Sequence, residues 1–313
     1  MGYFMKKTIA LLTTLLVAAF LTFLAFEVIP SDAAMTKLGM DATEEEVEAL
    51  REELGLNRSL PVRYGAFLLG AVRGDFGESI QYGLPVTELL ANRFGITISL
   101  ALLSFVLIVG ISIPFGIFAA RTKTKTGEGI VAFFTQAMMA VPPFFLGMLI
   151  TLLFGIVLRW FVPGGYVAAG DDFFGFLRFM IFPAMAVAIP KIGMTVRFLQ
   201  SSLKEQMQAD YVRTAKSKGC GKRRVLWRHV LRNAMIPVVT FLTMVMAEIL
   251  AGSIVIEQVF NLSGIGRLLA VSISGRDYPV VRAIVLYTTA VAVVLNYGAD
   301  LVCRYLDPRI KEL

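Results

Sequence analysis

Apolar residues in this chain come in long blocks separated by short polar gaps. Six blocks stand out, at roughly 8–29, 96–120, 130–158, 179–199, 236–256 and 281–302. About 20 apolar residues in a helix cross a hydrocarbon core of roughly 30 Å, so the pattern predicts six spans. The third block is longer than one crossing needs and contains Pro142-Pro143. Two adjacent prolines remove two backbone donors, so a kink or break is expected there. Pro114, Pro183 and Pro190 interrupt other blocks. Helix bundles tolerate this when neighbours satisfy the freed carbonyls. The first block follows Lys6-Lys7 and fills most of 8–26. That is longer than the roughly 7–15-residue apolar core of a secretory signal, so it is read as a retained helix.

The gaps carry the rest of the organisation. The first, about 30–95, is large enough for local structure. Thr43-x-x-Glu46 has capping-box spacing, and the acids Glu44 to Glu46 suit a helix N-terminus. Val47, Leu50 and Leu54 would form one apolar stripe, and Gly55 is a natural stop. This segment reads as a small cap packed on the bundle, as a docking surface for an external partner, or as both. The resulting plan is an N-terminal span (1–29), a loop or cap (30–95), a five-helix core (96–302) that includes a polar segment at 200–235, and a tail (303–313).

Composition agrees with a membrane protein. The chain is 57% hydrophobic and 17% charged, with mean hydropathy +0.72, whereas soluble domains are about 45–50% apolar and about 25% charged. The net charge of +7 sits in the gaps between apolar blocks, which argues against nucleic acid as a partner. Lys6, Lys7, Arg121, Lys123, Lys125, the run from Arg197 to Arg232, Arg304, Arg309 and Lys311 all fall on one side of a six-span chain. Cytoplasmic loops are the ones enriched in Lys and Arg, so both termini and the cationic segment are assigned to the cytoplasm and 30–95 to the outside. The two cysteines, Cys220 and Cys303, have no disulfide or metal-ligand spacing, and His229 is the only histidine. A His-based metal site is not expected.

The most informative gap runs from Asp210 to Pro237, DYVRTAKSKGCGKRRVLWRHVLRNAMIP, with eight Lys or Arg against one acid. Asp210 is a candidate cap for a helix within 209–218, and Gly219 a candidate left-handed stop. A second helix follows Gly221, with Val225, Leu226, Val230 and Leu231 on one face. Arg223, Arg224, Arg228 and Arg232 lie largely on another. Anionic lipid headgroups would hold such a cationic hairpin at the inner membrane face, but that alone does not explain a helix–glycine–helix between two spans.

This segment resembles the EAA loop of binding-protein-dependent ABC importer permeases. The general motif places Glu-Ala-Ala three residues before a Gly. Here Arg213-Thr214-Ala215 precedes Gly219, so only the second Ala and the Gly match, and the motif's later Pro is displaced to Pro237. DYVRTAKSKG followed by RHVLRNAMIPVVT is similar to the way the dipeptide, oligopeptide and nickel branch writes the loop. GDFGES (74–79), PVTELLANRF (85–94), GSIVIEQVFNLSGIGRLL (252–269), RDYP (276–279) and DPRI (307–310) also resemble that branch, in the right order along the chain.

The resemblance implies an all-α integral membrane protein with six transmembrane helices, the type I ABC importer permease fold with a cytoplasmic coupling helix, in a bacterial or archaeal inner membrane. It implies a second related permease, two cytoplasmic ABC ATPase subunits that bind ATP and Mg, and an extracytoplasmic substrate-binding protein. No cofactor is expected in this chain itself. Asp210, Tyr211, Arg213, Thr214, Ala215, Lys216, Lys218 and Gly219 would couple to the ATPase, which pushes the bundle between inward- and outward-facing states. Small peptides are the expected substrate. Nickel-chelate import by the same machinery is the alternative, with an ion-coupled secondary transporter the competitor from another class.

No Walker A sequence is present, so ATP hydrolysis would fall to partner subunits and the chain is not expected to be an enzyme. Gly264-Ile-Gly266 lacks the flanking strand and helix of a nucleotide loop. Ionisable residues inside spans are costly and mark candidate functional positions. Lys191 and Glu248 both fall near mid-membrane by helical rise. They could form a structural ion pair. Alternatively they line the translocation pathway, together with Pro142 and Pro143, and meet a charged peptide end.

Overall fold

The computed structural model describes residues 2–28, 35, 38, 43–53 and 57–306. Leu54, Gly55, the DPRI segment and most of the tail, as well as the side chain of Cys303, lie outside the described residues. The described elements are helices: α1 (Gly2–Val28), α2 (Glu44–Glu53), α3 (Leu60–Arg73), α4 (Val86–Arg121), α5 (Lys125–Ala140) and α6 (Pro143–Ile150). Helix α6 continues into a π-helical stretch, Thr151–Val157. Then come α7 (Phe173–Gln208) and α8 (Asp210–Ser217). Helix α9 starts at Lys222–Arg224, passes through a π-helical stretch at Val225–Val230 and continues as Leu231–Val259. The last two are α10 (Ile265–Ser274) and α11 (Tyr278–Leu306).

Among the described residues, α1, α4, α7, α9 and α11 are long and apolar enough to cross a membrane, and Lys125–Ala140 with Pro143–Val157, bent by 91°, is either a sixth, broken span or a re-entrant loop. The count is thus five, or the expected six where the bent pair is one span, and the expected break falls at the two prolines. Val141 and Pro142 are both extended, with ψ 122 and 142. A residue before proline is pushed out of the α region, so α5 cannot run on through Pro142-Pro143. Pro114, Pro183 and Pro190 lie inside continuous helices. Helix α7 has 36 residues, which at helical rise is about 54 Å, well beyond the hydrocarbon core.

The chain forms two compact units, Met1–Thr97 with Ser263–Val294 and Ile98–Leu262 with Leu295–Leu313. In the first, Val86, Leu89, Leu90, Ile265, Leu268, Val280, Ala283 and Ile284 form a buried apolar cluster. Phe23 packs against Tyr64 and Phe67, and Arg63 pairs with Glu27, which fastens α3 to α1. Thr43 and Glu46 make the reciprocal capping box. The Thr43 N–H donates to the Glu46 carboxylate at 2.9 Å, and the Glu46 N–H donates to the Thr43 hydroxyl at 3.4 Å. The Thr43 backbone N–H, and after it the hydroxyl, hold the Glu46 carboxyl below its ordinary pKa.

In the second unit α7 is the central helix, packed by α5, α6 and α9. Gly193 and Gly116 permit the closest approaches. A Cβ on Gly193 would sit 2.7 Å from the Thr135 carbonyl oxygen, and one on Gly116 would sit 2.7 Å from Leu199 Cδ2. Small residues at such crossings are how helices pack closely where lipid supplies no hydrophobic drive.

Candidate functional site

Helix α8 is two turns long and starts where Ala209, at ψ 149, turns the chain out of α7. Here the structure corrects the expected cap: Ala209 holds the N-cap position, Asp210 is the first helical residue, and no side chain caps the end. Helix α8 thus begins one residue earlier than the capping pattern suggested. Asp210 still favours this end by placing a negative charge in the first turn. Its carboxylate lies 3.7 Å from the Arg213 guanidinium, and both side chains are largely exposed. Val212 is the buried anchor of α8, and the Tyr211 hydroxyl donates to Gln206 Oε1 at 2.8 Å, tying the helix back to the end of α7. The Thr214 hydroxyl donates to the Asp210 carbonyl at 3.1 Å. Arg213, Thr214, Lys216 and Lys218 are exposed, and Ala215 is half-buried.

The far end of α8 is closed by the backbone. Gly219 is left-handed at φ +80. Its N–H donates to the Lys216 carbonyl at 2.9 Å, and the Cys220 N–H donates to the Ala215 carbonyl at 3.1 Å. That pair of bonds is the Schellman closure, so the predicted stop at Gly219 holds. Cys220 is a free thiol. After Gly221 the chain enters α9, whose first turns and apolar span are one continuous helix. Val225 and Val230 are buried while Arg223, Arg224, Arg228 and Arg232 are exposed, as their spacing predicts. Wider π-helical turns often occur at functional positions, and here one falls on Val225–Val230.

Lys191 of α7 and Glu248 of α9 form an ion pair, so the structure brings these two expected residues together. The Lys191 side chain is 20% exposed and that of Glu248 is 53% exposed, which leaves one side of the carboxylate open. Thr240, Met244 and Glu248 follow one another at four-residue spacing on the exposed face of α9. Pro142 and Pro143 sit at the bend between α5 and α6. Lys204–Glu128 and Arg197–Gln136 contacts, at 2.7 and 2.6 Å, bind α5 to α7.

One polar arrangement was missed by sequence reasoning. Asp277 of the RDYP segment is fully buried. Its carboxylate accepts the Ser79 hydroxyl and the N–H groups of Ile80 and Gln81, at 3.2 and 3.3 Å for the two amides. The Ser79 hydroxyl in turn accepts the Tyr82 N–H at 2.9 Å. Ser79 and Asp277 lie in two of the segments quoted above, GDFGES and RDYP; the signal was their co-occurrence, which local patterning cannot convert into contact. The Gly264-Ile-Gly266 segment opens α10. The Ile265 N–H there donates to Thr97 Oγ1 at 2.9 Å, so the turn is bound by its own unit.

The family described as binding-protein-dependent transport system inner membrane component matches residues 112–312, and its N-terminal counterpart matches residues 1–101. A putative peptide transport system permease protein of Brucella abortus (strain 2308) is 36% identical over 307 residues, covering 98% of both chains. The oligopeptide transport system permease protein AppB of Bacillus subtilis (strain 168) is 33% identical over 313 residues, and the glutathione transport system permease protein GsiC of Salmonella choleraesuis (strain SC-B67) is 33% identical over 311 residues. Each of these alignments covers 99% of both chains. Full-length relatedness, five or six apolar spans among the described residues and the glycine-closed cationic helix together place this chain in the binding-protein-dependent transport system inner membrane component family, as an ABC importer permease of the peptide and nickel branch.

Proposed function

We propose that this chain is one of two related permease subunits of an ATP-driven importer of small peptides, with both termini and α8 in the cytoplasm. The relatives' printed names, which specify peptide, oligopeptide or glutathione transport, support the substrate class. Two ABC ATPases bind ATP and Mg and receive α8 in a cleft, and an external binding protein delivers the peptide. The observation that carries this reading is the geometry of α8. It is a two-turn helix closed at Gly219, anchored by Val212 and Tyr211, with the side chains of Arg213, Thr214 and Lys218 turned outward. Coupling needs a stiff element that two machines touch and that adopts two arrangements. Lys191, Glu248, Pro142 and Pro143 line the peptide's path in this reading. The half-exposed carboxylate of Glu248 would face a peptide amino terminus.

The test is to extract the tagged chain in mild detergent and identify what stays bound. Two ATPase chains and one related permease are the expected companions. An active transporter purified without any ATPase would overturn the reading.

A further inference from the structure

Beside α8 lies an open cleft of about 870 Å³. Three separate segments meet there. The end of α4 supplies Arg121 and the turn after it Lys123, α8 supplies Lys216, and the start of α9 supplies Lys222 and Arg223. None of these five cations is paired with a carboxylate among the described residues. The acids Glu128 of α5 and Asp210 of α8 face Lys204 and Arg213 instead. Val212, Val225 and Val230 beneath it are buried in the protein itself, and the apolar surface left open belongs to the half-buried Leu226 and to Trp227, which is 52% exposed.

We infer that this cleft is a binding site for one anionic phospholipid, with the phosphate among the five cations and the upper acyl chains against Leu226 and Trp227. The inference rests on the proposed importer reading only in taking this end of the chain as the cytoplasmic one. A cluster of surface charge alone would not carry it, because exposed cations are ordinarily solvated. Here, however, the cations converge on a concavity in which Leu226 and Trp227 leave apolar surface open. The cleft also lies at the end of one span, since α4 finishes at Arg121, and beside the cationic first turns of α9 that lead into another. A ligand at the α4 end meets the membrane edge, the level that indole rings prefer. Basic pockets between spans on the cytoplasmic side suit anionic headgroups, and each nearby Lys or Arg raises that affinity roughly fivefold. An acidic protein surface would satisfy the charges but leave Leu226 and Trp227 without a matching partner. Because α8 forms part of the wall, the bound lipid would prop the coupling helix against the turn after α4.

The chain has two tryptophans, Trp160 and Trp227, so Trp160→Phe leaves Trp227 as the only indole. The full-length variant is placed in phosphatidylcholine nanodiscs doped with a small fraction of phosphatidylglycerol brominated high on its acyl chains. Brominated phosphatidylcholine at the same fraction is the control. The expected result is several-fold stronger quenching of Trp227 by the anionic lipid. The difference should vanish in Arg121→Gln/Lys123→Gln/Lys222→Gln and persist in Arg121→Lys/Lys222→Arg, which keeps the charges and guards against misfolding. Equal quenching by the two lipids overturns the site. Loss of the selective quenching on adding soluble glycerophosphate would make it a free-anion site and overturn the lipid assignment. Loss on adding the purified ATPases would assign the cleft to them, with the same consequence. Failure of the importer reading would instead show as missing ATPases in the copurification, a readout independent of Trp227.

Discussion

The turn held by Asp277 and the helix closed by Gly219 both belong to segments that resemble the family, but they dispose their polar groups in opposite ways. Asp277 is fully buried, and its carboxylate has three donors from Ser79, Ile80 and Gln81. All three donors come from the chain itself, so the fold accounts for the residue. In α8 a single side chain, Val212, is buried, and the closure at Gly219 is made by backbone atoms. Arg213, Thr214, Ser217 and Lys218 project outward. Apart from the Thr214–Asp210 hydrogen bond and the Arg213–Asp210 contact, they make no use of the chain's interior, which fits the proposed role of α8 as a surface for a partner. Inward polar residues in a motif point to folding, and outward ones point to a partner.

The sharpest way to break that contrast is to remove the buried carboxylate. Asp277→Ala strands the Ser79 hydroxyl and two amides, and each unsatisfied buried group costs about 1–3 kcal/mol. The Ile80 and Gln81 amides are only partly buried, so a total loss of about 3 kcal/mol is expected. It would be read as an earlier heat-aggregation midpoint in detergent and lower yield. Asp277→Asn keeps one acceptor oxygen and should lose less. An alanine variant as stable as the parent would mean that the turn does not depend on this residue, and the inward half of the contrast would collapse.

Next in size is the Lys191–Glu248 pair, which belongs to neither pole. Breaking a fully buried pair costs about 3–5 kcal/mol, and an exposed pair is worth about 0–1 kcal/mol. With Lys191 at 20% and Glu248 at 53% exposure, the intermediate expectation is about 1–2 kcal/mol. The asymmetry sets a direction. Glu248→Gln leaves the more buried ammonium alone and should destabilise more than Lys191→Met, and the double variant should recover much of the loss. If Glu248 serves the peptide's amino terminus, Glu248→Gln loses uptake beyond what its stability explains, and Lys191→Met does not restore it. Unchanged uptake and stability in Glu248→Gln would remove both roles.

How far the chain could be read from residue order depends on the range of the interaction. The break at Pro142-Pro143, the stop at Gly219 and the Thr43–Glu46 box are local and follow from missing donors, left-handed backbone or a three-residue reach. Hydropathy located the spans but not the helix ends. Helix α4 begins at Val86, ahead of the apolar run at 96, because Thr87, Glu88, Asn92 and Arg93 continue a helix without being apolar. Helix α9 likewise begins at Lys222 and runs unbroken into its span. The cap of α8 moved by one residue to Ala209, a shift that terminal signals do not resolve. The Ser79–Asp277 contact spans 198 residues, and no local pattern reaches that far. The convergence of Arg121 and Lys123 with Lys222 and Arg223 was hidden for the same reason.

The smallest effect on the fold should come with a large loss of transport. Gly219 has φ +80, and a Cβ there would meet nothing within 4 Å, so Gly219→Val is opposed by backbone strain rather than by a clash. A left-handed L-residue costs of order 1–2 kcal/mol, most for β-branched side chains. That strain can be relieved locally, by opening the bonds from Gly219 to Lys216 and from Cys220 to Ala215, so the membrane bundle should keep its melting midpoint. Helix α8 would lose its fixed exit angle, and peptide uptake and substrate-stimulated ATPase activity in the reconstituted importer should fall together. Gly219→Asn separates conformation from side-chain presence, because Asn tolerates the left-handed region; it should retain most of the uptake that Val loses. A valine variant with normal uptake would show that coupling does not depend on this closure. An asparagine variant as defective as the valine one would show that the side chain, not the backbone angle, is what the ATPase cleft rejects.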